Sequence, residues 1–442
     1  MYREPSKQLI DLFRGWPNPA LLPVTSLTQA TSTALSTPSI YQPGLQYGPD
    51  EGHPPLRQHI ADWLTSFYRP KDPVSTARIC ISGGASQNLA CVLQVFTDAA
   101  YTRNVWMVAP TYYLACGIFH DAGFMNRLRG VPEDAEGIDI GFLEKALQEA
   151  EAKATAEGNH KPLYTLARPW SKIYKHIIYL TSTFANPSMK VVSTHRREQL
   201  IRLARQYDAL IISDDVYDFL QWPSDPNADL STVELASVPR LVDIDRYLDG
   251  GPIDVFGNAM SNGSFSKLVG PGVRTGWVEG TEKFAYGVSQ TGSSVSGGAP
   301  SQLTATFVDH LVSTGALQRH IKSKLIPSYR ARYQQVLSAI DDNLVPLGFQ
   351  VAARTQLVVG GYFIWLDLPP SIKASVLTER ALAEENVRIG SGALFKVQGD
   401  ASDHHQDFEG SVRLCFAWEE FDQLYEGVRR LGNTARSILN KR

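Results

Sequence analysis

A chain of 442 residues exceeds what one ordinary hydrophobic core supports, so a large lobe and a smaller one are expected. With 43% apolar and 20% charged residues, the composition is that of a globular protein and excludes global disorder. Basic and acidic side chains number 42 and 45, a net charge of −3 with the signs interspersed, which argues against a nucleic-acid partner.

Met1–Pro5 lacks the apolar stretch of a secretion signal. The Pro-, Ser- and Thr-rich run from Trp16-Pro17-Asn18-Pro19 to Pro38 reads as an extended arm. Ile60, Trp63, Leu64 and Phe67 then recur at helical spacing over His59–Tyr68. Short apolar runs predict buried strands at Val105–Val108, Ile177–Leu180, Ala209–Ile212 and Trp277–Val278. Helical patterns lie between them, over Leu89–Phe96, Ile140–Ala154 and Thr194–Tyr207. Strands alternating with helices make a mostly parallel α/β sheet, whose ligands gather at the carboxyl ends of the strands. Past Pro300 the pattern changes to a long helical stretch (Leu303–Leu347), a strand (Gly361–Leu368), a helix (Ile372–Asn386), a strand (Ser411–Phe416) and a last helix. The expected organisation is an arm at 1–48, a large domain at 49–300 and a small α+β domain at 301–442.

No run of about 20 apolar residues is available to span a bilayer. Cys80, Cys91, Cys116 and Cys415 lie far apart and read as buried reduced thiols, so a cytoplasmic protein without a membrane partner is expected. His404-His405, among Asp400, Asp403 and Asp407, lacks the spacing of a ligand set. It reads as a solvated loop, and no metal is expected.

Four polar islands stand at strand ends. Ser82-Gly83-Gly84-Ala85-Ser86-Gln87 opens a helix and offers backbone N–H groups to an anion, although alone it is also an ordinary turn with a serine cap. Thr183-Phe184-Ala185-Asn186-Pro187-Ser188 follows a strand, where Asn-Pro either turns the chain or holds an amide rigidly. Asp214-Asp215 ends an apolar strand, a costly place for acids unless they are paired or reach solvent. In the fourth, Gly263-Ser264-Phe265-Ser266-Lys267 precedes Arg274 by seven residues, which gathers two cations and two hydroxyls around one anion.

In this order the islands resemble the class I/II aminotransferases of the pyridoxal-phosphate fold type I, and most of all the 2-aminoadipate/aromatic branch and its fungal relatives. Gly15-Trp16-Pro17-Asn18-Pro19, Gln46-Tyr47-Gly48-Pro49-Asp50-Glu51-Gly52 and Val412-Arg413-Leu414 extend the resemblance over nearly the whole chain. It implies an α/β fold, with a mostly parallel seven-stranded sheet in the large domain and a smaller α+β domain. It also implies pyridoxal 5'-phosphate held as a Schiff base on Lys267, with Arg274 helping to depress the lysine pKa. Asp214, chosen over Asp215 because Tyr217 then completes Asp-x-x-Tyr, would pair with the pyridine nitrogen. Asn186 and Tyr217 would bond the ring's phenolic oxygen, and Tyr112 would stack on the ring. Ser86, Gln87, Ser264, Ser266 and Arg274 would hold the phosphate, joined by Tyr47 from a neighbouring subunit, which implies a homodimer with shared active sites. Arg413 would take the substrate α-carboxylate. Trp16, Arg14, Tyr113 and Phe395 are candidate contacts for the substrate side chain.

Two departures stand out. Pro223–Pro252 is longer than usual and reads as a surface insertion, and the family's Asn-Pro-Thr-Gly turn is Asn186-Pro187-Ser188-Met189 here. The implied reaction moves an amino group from an L-amino acid (aromatic, 2-aminoadipate-like or broad) to a 2-oxo acid. A carbon–sulfur β-lyase of secondary metabolism on the same scaffold is the alternative. A regulator carrying a DNA-binding helix-turn-helix is disfavoured, because the family pattern begins by about residue 10.

Overall fold

The computed structural model describes residues 7–166, 168–352, 354–400 and 407–440, and Asp403, His404 and His405 lie outside them. The stretch read as an extended arm holds two helices, α1 (Val24–Ser36) and α2 (Pro38–Gly44). Pro23 stands before α1 and Pro38 opens α2, positions where the missing N–H costs little. The hydroxyls of Thr28 and Thr31 bond back to carbonyls four residues earlier, both at 2.9 Å, so a Thr-rich run can be helical. Ala30 and Ala34 form its buried face. Helix α3 (Pro54–Tyr68) follows, beginning earlier than its apolar periodicity because Pro54 and Pro55 suit a first turn.

The central sheet is built from β1 (Ile79–Ser82), α4 (Ala85–Phe96), β2 (Val105–Ala109), β3 (Leu128–Asp134), β4 (Gly137–Ile138), α5 (Ile140–Ala156), β5 (His176–Leu180), α6 (Thr194–Gln206), β6 (Ala209–Asp214), α7 (Leu241–Tyr247), β7 (Ala259–Ser264) and β8 (Gly276–Glu279). Its spatial order is β1-β8-β7-β6-β5-β2-β3-β4. Strands β3, β2, β5, β6 and β7 run parallel, while β8 is antiparallel to both neighbours. Seven of the eight match the expected number. The eighth is the two-residue β4, formed where Gly137 (φ +117°) turns the chain back along the end of β3.

Both faces are covered, as a parallel sheet requires. Met107, Tyr179, Ile212 and Met260 face α4, whereas Trp106, Ile178 and Ile211 pack with Leu143 of α5, Leu200 of α6 and Leu241 of α7. Helix α7 corrects part of the reading of Pro223–Pro252 as a surface insertion: Ser224–Pro239 lies at or near the surface, whereas Leu241, Val242 and Ile244 lie in the core. The segment's polar composition concealed this because its buried charges are paired. Arg240, 1% exposed, donates to Asp243 at 2.9 and 3.0 Å, pairs with Glu279 at 2.5 Å and lies 4.1 Å over the Tyr68 ring.

Beyond residue 300 the long helical stretch divides. After α8 (Gln302–Ser313), Gly315 (φ +69°) reverses the chain, and a second helical run reaches α9 (Ile326–Asn343) through a wide turn at Ile321–Leu325. That turn falls just before Pro327, which has no N–H to return to the preceding turn. Strands β9 (Gln350–Val351), β10 (Phe363–Asp367), β11 (Gly390–Ser391) and β12 (Ser411–Cys415) form a second sheet in the order β9-β10-β12-β11, all antiparallel. Helices α10 (Ala374–Glu385) and α11 (Phe421–Asn440) flank it. Ile10–Asp11 pairs in parallel with Val387–Arg388, so the chain's first described residues join this C-terminal part.

Replacing Arg240 by Ala takes from Asp243 its cation and leaves Glu279 only Arg78, at 3.5 Å, and should lower unfolding free energy by about 3 kcal/mol in chemical denaturation. Arg354→Ala removes a half-exposed pair with Asp341 and should cost about 1 kcal/mol or less. Equal losses in the two variants would contradict the buried network.

Candidate active site

The parallel strands end together, and there Asp214 of β6, Ser264 of β7 and Thr181 just past β5 line a cavity of about 470 Å³. Strand alternation decides which of the adjacent acids faces it. Asp214 is paired across the sheet with Asn262, and both lie on the α4 side with Tyr179. Tyr179 Oη donates to Asp214 Oδ2 at 2.8 Å, and Asn262 Nδ2 donates to Oδ1 at 3.3 Å. Asp215 points through the opposite face, where the hydroxyls of Ser213 and Ser261 each donate at 2.5 Å. Burial pushes the Asp214 carboxyl up to about 7, against the Tyr179 hydrogen bond that favours its charge.

Lys267 sits in the turn after β7, where the N–H groups of Leu268 and Val269 return to the Phe265 carbonyl at 3.1 and 2.8 Å. Gly263 lets that strand lie flat against Trp277, because a Cβ there would come within 2.0 Å of the indole. Lys267 Nζ donates to the Gly15 carbonyl at 2.7 Å. Loss of hydration brings its pKa down from 10.5 to about 8. The neighbouring cation that contributes is Arg413, not Arg274 as the sequence suggested.

At one end of the cavity α4 begins at Gly84 with no side chain capping its first turn. Gly84 has φ +107°, and a Cβ there would meet Arg274 Nη2 at 3.2 Å, so both the conformation and the space call for glycine. Ser86, Ser264, Ser266 and Arg274 surround this helix end, with Ser264 Oγ donating to Ser266 Oγ at 3.0 Å. Unpaired helix N–H groups, hydroxyls and a guanidinium form a seat for an oxyanion such as a phosphate.

Arg413, on β12 and 4% exposed, closes the other end. It donates to Asn186 Oδ1 at 2.8 Å and to the Phe13 carbonyl at 2.7 Å, while Phe363 and Phe395 lie 3.9 and 4.6 Å from its guanidinium. Its Nε is buried without a hydrogen-bond partner among the described residues. Asn186 belongs to the turn that lacks the family's glycine. Met189 there takes the left-handed conformation (φ +62°) that glycine favours, at a cost of about 1–2 kcal/mol, with its side chain buried.

Lys267, Asp214, Tyr217, Ser86, Tyr112, Asn186, Ser264, Ser266, Arg274, Arg413 and Trp16 therefore all line one cavity, together with Arg14 and Tyr113. Gln87 does not line it; its Oε1 accepts the Gly83 N–H and braces the loop from behind. Tyr47 is 88% exposed and also lies outside this chain's cavity. Phe395 backs Arg413 and Tyr113 rather than forming the wall. Sequence reasoning missed Tyr179, which the two-residue alternation of β5 could have flagged. It also missed the carbonyls of Phe13 and Gly15, for which no side-chain signal exists.

A profile of the family described as aminotransferase class I and II matches residues 18–431. The chain belongs to this family. It is accordingly a transaminase of a family that works through pyridoxal phosphate. This aminotransferase is 34% identical to an uncharacterized protein of Saccharomyces cerevisiae, with 97% of each chain covered. It is 27% identical to aromatic-amino-acid aminotransferase 1 of Thermococcus litoralis, over 99% of this chain and 90% of that one. The α-aminoadipate aminotransferase of Thermus thermophilus, solved with N-(5'-phosphopyridoxyl)-L-leucine, superposes with a TM-score of 0.74 at 26% identity, covering 98% of this chain and 94% of that one. The residues present fit pyridoxal phosphate, with an uncapped helix end for its phosphate, a buried carboxyl for its ring nitrogen and a low-pKa lysine for its aldehyde. Among the described residues no helix is long and apolar enough to cross a membrane, and all four cysteines are free and buried.

Only a neutral amine attacks an aldehyde, so cofactor-stripped aminotransferase should capture pyridoxal phosphate about tenfold faster per pH unit below about 8 and level off above it. Stopped-flow absorbance measures the rate, and Lys267→Ala should yield no borohydride-stable adduct. A rate still climbing from about pH 9 to 10 would contradict the depressed lysine.

Proposed function

We propose that this aminotransferase transfers the amino group of an L-amino acid to a 2-oxo acid, with pyridoxal phosphate held covalently on Lys267. The observation that carries the reading is that Lys267, Asp214 and Arg413 meet in one cavity beside an uncapped helix end. Pyridoxal phosphate, when bound, supplies an electron sink for the bonds at the substrate Cα. Asp214 would pair with the cofactor's ring nitrogen, where a positive partner favours the ionised carboxyl. Asn186 and Tyr217 would hold the ring through its phenolic oxygen, and Tyr112 would pack against it. Ser86, Ser264, Ser266, Arg274 and the α4 N-terminus would anchor the phosphate. Arg413 would bind the α-carboxylate, and the Lys267 amine would hold and carry the proton at the substrate Cα.

Tyr47, exposed on this chain, reaches the phosphate of a second copy, so the working form is a homodimer with shared sites. Residues 49–300 form the cofactor-binding domain and 301–442 the small domain, with the first described residues packed on the latter. Free buried cysteines support a cytoplasmic location. The names of the relatives support aromatic or 2-aminoadipate-like substrates, and Phe13, Tyr113 and Phe363 give the wall an aromatic character.

A half-reaction screen tests this reading. Amino acids should discharge the cofactor chromophore with one equivalent of 2-oxo acid released, and a second oxo acid should restore it. Pyruvate and ammonia from a cysteine conjugate, without acceptor and without any transamination, would establish a β-lyase instead. Loss of a charge-assisted bidentate contact in Arg413→Ala should raise KM for amino acids about 10- to 100-fold while cofactor stays bound. An unchanged KM would mean that the carboxylate binds elsewhere.

A further inference from the structure

A second cavity, of about 240 Å³, lies at the opposite ends of the strands from the candidate active site and shares no lining residue with it. Arg78 lines it just before β1, Ala259 at the start of β7, Thr281 just after β8, and Arg246 and Tyr247 from α7. Strand β7 has 6 residues, so about 20 Å of sheet separates this cavity from the turn that carries Lys267.

Two guanidinium groups stand here with few partners. Arg78 is 8% exposed, and its Nε lies 3.5 Å from Glu279 Oε1 without a hydrogen bond. Neither Nη of Arg78 donates to a described residue. Arg246 donates from Nη2 to the Pro73 carbonyl at 3.2 Å and lies 5.1 Å from the Tyr247 ring, with no acid at ion-pair distance among the described residues. The acids nearby are already engaged. Glu279 and Asp243 pair with Arg240, while Asp245 pairs with Arg205 at 2.9 Å and accepts the Asn258 N–H at 2.8 Å. Four guanidinium groups, Arg78, Arg205, Arg240 and Arg246, thus meet three carboxylates, Asp243, Asp245 and Glu279. Asp72, Glu282 and Lys71 are the other charges at this end, all exposed to solvent and none in an ion pair among the described residues. Burial lowers the Arg78 pKa, Glu279 raises it, and Arg246 and Arg240 press it down again, so the two arginines face each other short of an anion.

We propose that this cavity is a second binding site, for the oxyanion head of a small phosphate or carboxylate held between Arg78 and Arg246. Planar guanidinium donors match the oxygens of either class, and a partly enclosed site strengthens the contact relative to open solvent. An anion in that place joins α7 to the segment that precedes β1, and it stabilises the fold by mass action. The assignment stands apart from the transaminase reading, because it uses no residue of the candidate active site.

The test is equilibrium dialysis of full-length holoenzyme against radiolabelled inorganic phosphate in chloride-poor buffer. Phosphate should bind Arg246→Gln about tenfold or more weakly than wild type, and Arg246→Lys, which keeps the charge, with intermediate affinity. Two controls should bind as wild type does: Arg413→Ala, which alters the other cavity, and Arg202→Gln, which removes the same charge from an exposed position. Phosphate should also raise the unfolding midpoint of wild type more than that of Arg246→Gln. Release of the phosphate by acetate would show that carboxylates share the site, and retention against acetate would show a site for phosphates. Equal affinity in wild type and Arg246→Gln, an equal loss in Arg202→Gln, a loss in Arg413→Ala instead, or no binding at all would overturn the proposal.

Discussion

A carboxylate at the end of a fully buried strand persists only where something compensates for its lost hydration, and Asp214 occupies such a place on β6. Its own partners, one tyrosine hydroxyl and one amide, do not balance a charge, and burial raises its pKa to about 7. Lys267 offsets part of that charge from within the same cavity. Under the proposed function a protonated ring nitrogen would supply a second cation, and the cavity lowers Lys267 to about 8, where a neutral amine is accessible near physiological pH. Desolvation acts in opposite directions on the acid and the base.

Much of the surrounding structure keeps that arrangement fixed. Arg197 of α6, wholly buried, donates to the carbonyls of Ser182, Val192 and Pro239 and to the Thr183 hydroxyl, so it grips both ends of the turn that carries Asn186. Asn186 in turn orients Arg413. On the face of the sheet away from the cavity, Asp215 is held by serines, and Tyr68 donates to Asp218 at 2.8 Å. These acids are packed within reach of Arg197 and Arg240, which offset part of their charge. The polar layer behind β6 therefore sets the direction of the residues in front of it.

The sheet strands and most of the residues that line the cavity were legible because both depend on local pattern. Apolar runs at Val105–Val108 and Ala209–Ile212 are too short for helices and end in turns, and lysine, serine and arginine at fixed spacing after a strand have few other uses. What escaped was set by tertiary contacts. The buried helix α7 carries Arg240, Asp243 and Asp245, whose charges look like surface until Glu279 and Arg205 are seen beside them. The α1–α2 region hides its helices behind threonines whose hydroxyls bond within the helix. Phe13 and Gly15 act through carbonyls, which every residue possesses, so no residue type marks them. The source of the Lys267 shift was misjudged for a similar reason, since sequence proximity pointed to Arg274 while the fold brought Arg413 closer in effect.

The division between the two sheets also explains why cofactor chemistry was easier to read than substrate choice. Asp214, Ser264 and Lys267 sit on or just after strands of the central sheet, where register fixes each against its neighbour. Arg413 comes from the second sheet, and Phe13, Arg14 and Gly15 come from a segment anchored to it by the pairing of Ile10–Asp11 with Val387–Arg388. The contacts expected for substrate thus depend on how two separately built parts meet across Lys267. That junction is made of backbone carbonyls and long arginine side chains, which tolerate many neighbouring sequences. A cofactor of constant shape constrains the first sheet strongly, whereas substrates of varied shape constrain the second only through the charges they carry.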